Sequence, residues 1–263
     1  MALPVRRQGF RWAAAFFAFV FCVPSLALLD LVAGLLPTGG DATLSSSMSN
    51  AAFGVLGVVL IGSAFASLVR RSPDASVAMT QVAVVVLALI AGSVLSGATI
   101  GVVGAMAVLV PLALVWALHP DRWSPFRRGS WVFSSPWVLG CALLLVVPAC
   151  VYASVMAAHG RAGAPPQNSF AFVPSHWSAM TAAFMGTGLV ALVAAARGGG
   201  WNVSALCVAI AVLVFGLASV VNPDAPSSGG RVWGVAAFLW VGGWLVTTRR
   251  ARVSGIEAQA APP

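Results

Sequence analysis

Long apolar runs separated by short polar segments organise the chain. The runs cover residues 13–36, 51–69, 77–96, 99–118, 131–156, 177–196, 203–221 and 232–248. Each is close to the ~20 residues that a helix needs to cross a hydrocarbon core of ~30 Å. Backbone groups in a bilayer are satisfied only within a helix or a closed barrel, and no series of short alternating strands is present, so the runs predict helices. Only Ser96, Gly97, Ala98 and Thr99 divide the third run from the fourth. One helix of about 40 residues would overshoot the membrane, so a tight hairpin at Gly97 is expected. The first run exceeds the roughly 7–15 apolar residues of a cleaved signal peptide and reads as an uncleaved span.

The arginines lie between the runs and test the count. With the N-terminus in the cytoplasm, Arg6, Arg7, Arg11, Arg70, Arg71, Arg122, Arg127, Arg128, Arg197, Arg249, Arg250 and Arg252 share one side. Arg161 and Arg231 are left on the other. Such a bias is the positive-inside pattern, and a miscounted span in the middle would scramble it.

The two halves of the pattern echo each other. Val23-Pro24-Ser25 matches Val147-Pro148-Ala149 in the first span of each half, and Arg70-Arg71 matches Arg197. Gly97 and Gly101 open the fourth span as Gly230 and Gly234 open the eighth. This GxxxG spacing puts two glycines on one helical face, where a neighbouring backbone can approach. An even number of spans per copy makes the copies parallel. The predicted fold is therefore an all-α integral membrane protein of eight transmembrane helices, arranged as two parallel four-helix repeats with both termini inside. Residues 1–12 form a cytoplasmic segment, 13–120 the first unit, 121–130 a cytoplasmic linker, 131–248 the second unit and 249–263 a cytoplasmic tail.

Composition excludes the soluble alternative. Of 263 residues, 60% are hydrophobic and 8% charged, against about 25% charged in a soluble domain. The net charge of +8 comes from arginines spread between spans, which excludes nucleic acid as a partner and leaves membrane lipids and other membrane subunits. Every basic residue is Arg and none is Lys; this fits a GC-rich genome and a bacterial plasma membrane. Cys22, Cys141, Cys150 and Cys207 lie inside apolar runs without CxxC spacing, so neither a disulfide framework nor a zinc knuckle is expected.

Candidate chemistry concentrates between Val147 and Met180. Asp30 is the one acid clearly inside a span, and an intramembrane carboxylate is by default functional. The repeat matches it with Ser154, and Tyr152 is the only tyrosine; the three are candidates for a ligand or ion pathway. Met156 and His159 (i, i+3) end the fifth span, while His176 and Met180 (i, i+4) begin the sixth. Each pair shares a helical face, and thioether with imidazole suits copper, or two imidazoles haem iron. Pro24, Pro111 and Pro148 predict kinks. Trp233, Trp240 and Trp244 recur at helical spacing and read as packing or a lipid-facing belt.

No phosphate loop, HExxH or GxSxG is present. The leading expectation is a non-enzymatic polytopic membrane protein, either transporter-like for an apolar or lipid-like molecule or a subunit of a larger membrane complex. The alternative is a redox or metal-handling protein that binds copper or haem near the outer face through His159 and His176. A lipid-acting enzyme built on Asp30, Asp41, His159 and His176 is the third class.

Overall fold

A computed structural model describes residues 2–22, 44–70, 76–119, 135–163, 173–196, 201–225 and 227–260, together with Leu29, Val32 and Leu35. Among them there is no strand. Helix α1 (Ala2–Cys22) is followed by α2 (Leu44–Gly54), which runs through a π-helical segment (Val55–Gly62) directly into α3 (Ser63–Val69). Then come α4 (Ser76–Ser96), α5 (Ile100–Leu118), α6 (Pro136–Arg161), α7 (Val173–Ala195), α8 (Trp201–Val221) and α9 (Gly230–Ala260).

Among the described residues, six stretches are long and apolar enough to cross a membrane: Met48–Val69, Ser76–Ser96, Gly101–Leu118, Pro136–Arg161, His176–Ala195 and Trp201–Val221. They coincide with the second to seventh runs of the sequence. The predicted first span lies largely outside the described residues. The eighth run forms a helix, but the helix extends well past it to Ala260. Likewise α1 starts at Ala2, inside the segment expected to precede the first span. An apolar run measures membrane thickness, whereas a helix stops only where its backbone is capped or broken.

Local signals explain the ends. Gly97 closes α4 with φ of 72°, a left-handed position that glycine takes without a Cβ penalty. Its N–H bonds Val94 O at 3.3 Å, and the Ala98 N–H reaches back to Ser93 O at 2.9 Å. This pair of bonds is a Schellman cap, and it makes the expected hairpin into α5. Gly230 repeats the left-handed φ at 77° where α9 begins. At the start of α6, Ser135 Oγ accepts from the Trp137 N–H at 3.3 Å. Pro136 takes the first helical position, where its missing N–H has no partner to lose.

The GxxxG glycines divide their work. Gly97 and Gly230 supply the turns, and only the second glycine of each pair makes a close contact. A Cβ on Gly101 would collide with Ser93 Oγ across the hairpin, and one on Gly234 would lie 2.6 Å from Gly216 O on α8. Gly216 is the reciprocal half: its Cβ would meet Ala237 Cβ at 2.9 Å and Gly234 O at 3.2 Å. Helices α8 and α9 therefore touch backbone to backbone, as small residues allow in membranes.

Helix α7 forms the centre. Its apolar window is 83% buried, against 22% for those of α5 and α6. It packs chiefly on α4 and α6, presenting Ala179, Ala182, Ala183, Ala191 and Ala194. At the α4 crossing, a Cβ on Gly92 would lie 2.8 Å from Ser178 O and 3.0 Å from Ala182 N. The exposed faces of α5, α6 and α9 are apolar, with Val103, Leu144 and Leu239 each about two-thirds or more accessible. A soluble surface would be polar there; a bilayer covers such a face without cost.

Cross-helix contacts sort the helix ends into two groups. Phe10 meets His119 edge-on at 4.9 Å, placing the start of α1 beside the end of α5. At the opposite end, an Arg161 guanidinium N–H donates to Leu95 O and Tyr152 Oη donates to Ser227 O.

Candidate functional site

The residues singled out from the sequence meet different fates. Asp30 lies outside the described residues, as does Asp41. Ser154 sits on the exposed face of α6 and donates to Cys150 O at 2.8 Å in its own helix. Tyr152 is turned inward: besides its bond to Ser227 O, its hydroxyl approaches Met180 Sδ at 3.8 Å. Its ring stacks on Phe184 at 3.9 Å, and Phe184 stacks on Phe215 at 4.2 Å. An aromatic ladder thus crosses α6, α7 and α8.

The two histidines converge on a single indole. His159, exposed at the end of α6, stacks on Trp177 at 5.0 Å. His176 meets the same ring edge-on at 5.0 Å. His176 is buried, and its Nε2 has no hydrogen-bond partner among the described residues. Met156 and Met180 are buried too. Among the described residues, no three His, Cys, Asp or Glu side chains gather as a metal site.

Two sites escaped the sequence reading. The first is polar. Gln81 on α4 is 1% exposed; its Nε2 donates to Leu60 O at 2.7 Å, and its Oε1 accepts from Ser204 Oγ of α8 at 2.7 Å. Ser63 Oγ bonds Val59 O and lies 2.9 Å from Cys207 Sγ. Both carbonyls belong to the π-helical segment, where the Ser63 N–H reaches back to Val58. Widening the turn to i→i+5 changes the carbonyl pairing, and side chains from α4 and α3 supply donors. The node ties three helices together near the starts of α4 and α8. A lone Gln in an apolar run has no spacing partner to announce it.

The second site is apolar. A cavity of about 270 Å³ lies between α6, α7, α8 and α9. Its walls include Pro148, Phe184, Phe215, Trp233 and Trp240, and no lining residue is charged. Sequence and geometry combine here. Pro148 has no N–H to give Leu144 O, so α6 loses one backbone bond at this level, and the small Ala149, Gly216, Ala236 and Ala237 leave the space unfilled. Two polar groups of the walls are already engaged: Thr187 Oγ1 donates to Ala183 O at 2.7 Å and Trp240 Nε1 to Cys141 O at 3.0 Å. Leu144 and Trp233 on the rim are accessible, so the cavity opens on the outer surface of the bundle. Apolar cavities of this kind stay dry and accept apolar guests. Trp240 and Trp244 stack at 5.2 Å, and Trp244 is fully buried with its Nε1 bonded to Ala205 O at 2.9 Å. The tryptophan stripe is therefore packing at one end and a cavity wall at the other.

Comparison with protein families, with curated sequences and with solved structures finds no match. The fold itself defines the class: the described residues are helical, with six helices among them long and apolar enough to span a membrane, as in a polytopic membrane protein.

Proposed function

We propose that this chain is a non-enzymatic, transporter-like membrane protein that takes an apolar or lipid-like molecule from the bilayer into the cavity between α6, α7, α8 and α9. The observation that carries this reading is the cavity itself: apolar, uncharged, beside a helix that carries a proline in its interior, and open to where lipid would lie. The threading is eight spans in a bacterial plasma membrane, with both termini cytoplasmic. The arginine-rich loops support that sidedness.

Helix pairing supports a duplicated four-helix unit. Counting α2, the π-helical segment and α3 as one span, α1 packs on it as α6 packs on α7. Helix α4 packs on α7 as α8 packs on that π-containing span, α4 pairs with α5 as α8 with α9, and α1 meets α5 as α6 meets α9. Two parallel copies about an axis along the membrane normal would pair in this way, although the α4–α6 contact has no α1–α8 counterpart among the described residues.

The test is purification in mild detergent, followed by native mass spectrometry of the intact protein. The proposal expects a retained apolar or lipid molecule, and its loss in Ala149→Phe, which fills the cavity. An empty wild-type protein whose thermal stability ignores added lipid would overturn it. A second reading rests on the buried, unpartnered His176 Nε2: copper or haem held by His159 and His176 with Met156 and Met180. A Soret band, or bound copper lost in a His159→Ala, His176→Ala variant, would establish it. A colourless, metal-free protein would exclude it.

A further inference from the structure

The cavity has a companion along the same pair of helices. Helices α6 and α9 run antiparallel: Trp240 bonds Cys141 O, Thr247 Oγ1 lies 3.8 Å from Cys141 Sγ, and Trp233 shares the first cavity with Pro148. Farther along, Ser135, Trp137, Thr247, Arg250 and Ala251 line a second cavity of about 360 Å³. Among the described residues that line it, Arg250 alone is charged. Trp137 is 77% exposed, as an indole is where it anchors a helix at the membrane surface. The backbone N–H of Trp137 is bonded to Ser135 Oγ, and the guanidinium of Arg250 is the charge that the cavity offers to a ligand.

The spacing of the two cavities matches one leaflet. From Trp137 to Pro148 along α6 is 11 residues, or ~17 Å at ~1.5 Å per residue. Half a hydrocarbon core is ~15 Å. The Arg250 cavity thus lies at headgroup depth when the apolar cavity lies near the bilayer middle. One molecule with a negative head and a long apolar chain fits both.

We propose that the α6–α9 groove binds an anionic glycerophospholipid of the arginine-rich leaflet, with its phosphate at Arg250 and an acyl chain in the cavity beside Pro148. This deepens the lipid-like reading above and rests on it. The guanidinium provides a forked pair of donors to phosphate oxygens, and the chain replaces empty space against Phe184, Phe215, Trp233 and Trp240. Arg249 and Arg252, which do not line the cavity, attract the same leaflet without choosing a site.

The experiment compares full-length protein in nanodiscs of phosphatidylglycerol mixed with phosphatidylcholine, reading retained lipid by native mass spectrometry. Wild type should retain phosphatidylglycerol with a preference of ~5-fold, the size expected of one surface arginine. Arg250→Gln should abolish the preference, Arg249→Gln should keep it, and Ala149→Phe should lower retention of both lipids alike. Equal effects of Arg250→Gln and Arg249→Gln would reduce the preference to general attraction by a basic tail and overturn the site. Retention without headgroup preference would overturn this inference while leaving the apolar cavity reading intact. No retained lipid at all would overturn both.

Discussion

The two sides of α7 are built to opposite specifications. Toward α4 the contact is closed: Gly92 lets backbone meet backbone, and Gln81 links α4 to Leu60 O and to Ser204 of α8. Toward α6, α8 and α9 the contact is unfinished, with a cavity of about 270 Å³ walled by aromatic rings and alanines. In a membrane there is no hydrophobic force to hold helices together, since lipid is as apolar as any side chain. Close packing and buried hydrogen bonds must do it: on the α4 side they fill the contact, whereas on the other side the Gly216–Gly234 approach and the Trp244–Ala205 bond surround a cavity. The second side is free to exchange protein contacts for lipid contacts. The bundle is therefore close-packed on both faces of its central helix, and on one of them the packing leaves a cavity.

That contrast can be broken in graded ways. Gly92→Val should have the largest effect, because its Cβ meets backbone atoms of Ser178 and Ala182 that have no rotamer to give. A loss of about 3 kcal/mol is expected from such overpacking, read as a fall in Tm in detergent. Gln81→Leu should cost about 1–2 kcal/mol by leaving Leu60 O without a donor and Ser204 Oγ without its acceptor. Ser204→Ala combined with Gln81→Leu should be less than additive, since the two share one network. Trp240→Phe, which removes the N–H bond to Cys141 O and shrinks the ring that stacks on Trp244, should cost about 1 kcal/mol. Ala149→Phe should change stability least, because space exists to receive the ring, while abolishing guest binding. If Ala149→Phe destabilised as strongly as Gly92→Val, the two sides would not differ in kind.

The sequence disclosed the parts of this picture that depend on run length and on single residues with one conformational use. Runs two to seven appear as spans because only apolar residues tolerate that setting. Gly97 marks the hairpin because it alone accepts the left-handed turn. Helix ends were harder: α9 continues through Arg249, Arg250 and Arg252 to Ala260, since arginine is a good helix former once the membrane has ended. The Gln81 node and the cavity were out of reach for a shared reason. The node is assembled from three helices and the cavity from four, and no spacing along one run records how helices cross. The histidine and methionine pairs illustrate the converse. Their spacings were visible, yet it is Trp177, unremarked as chemistry, that lies against both His159 and His176.

The most direct measurement of the central claim is photo-crosslinking with a phospholipid that carries a diazirine at the end of its acyl chain, mapped by peptide mass spectrometry. Val103 and Val110 on α5 are as exposed and as apolar as Leu144 on α6, so they report simple contact with lipid. Labelling concentrated on 144–149 and 233–240, and removed by Ala149→Phe, is the predicted result. Labelling of α5 equal to that of the groove, unchanged by Ala149→Phe, would contradict the account.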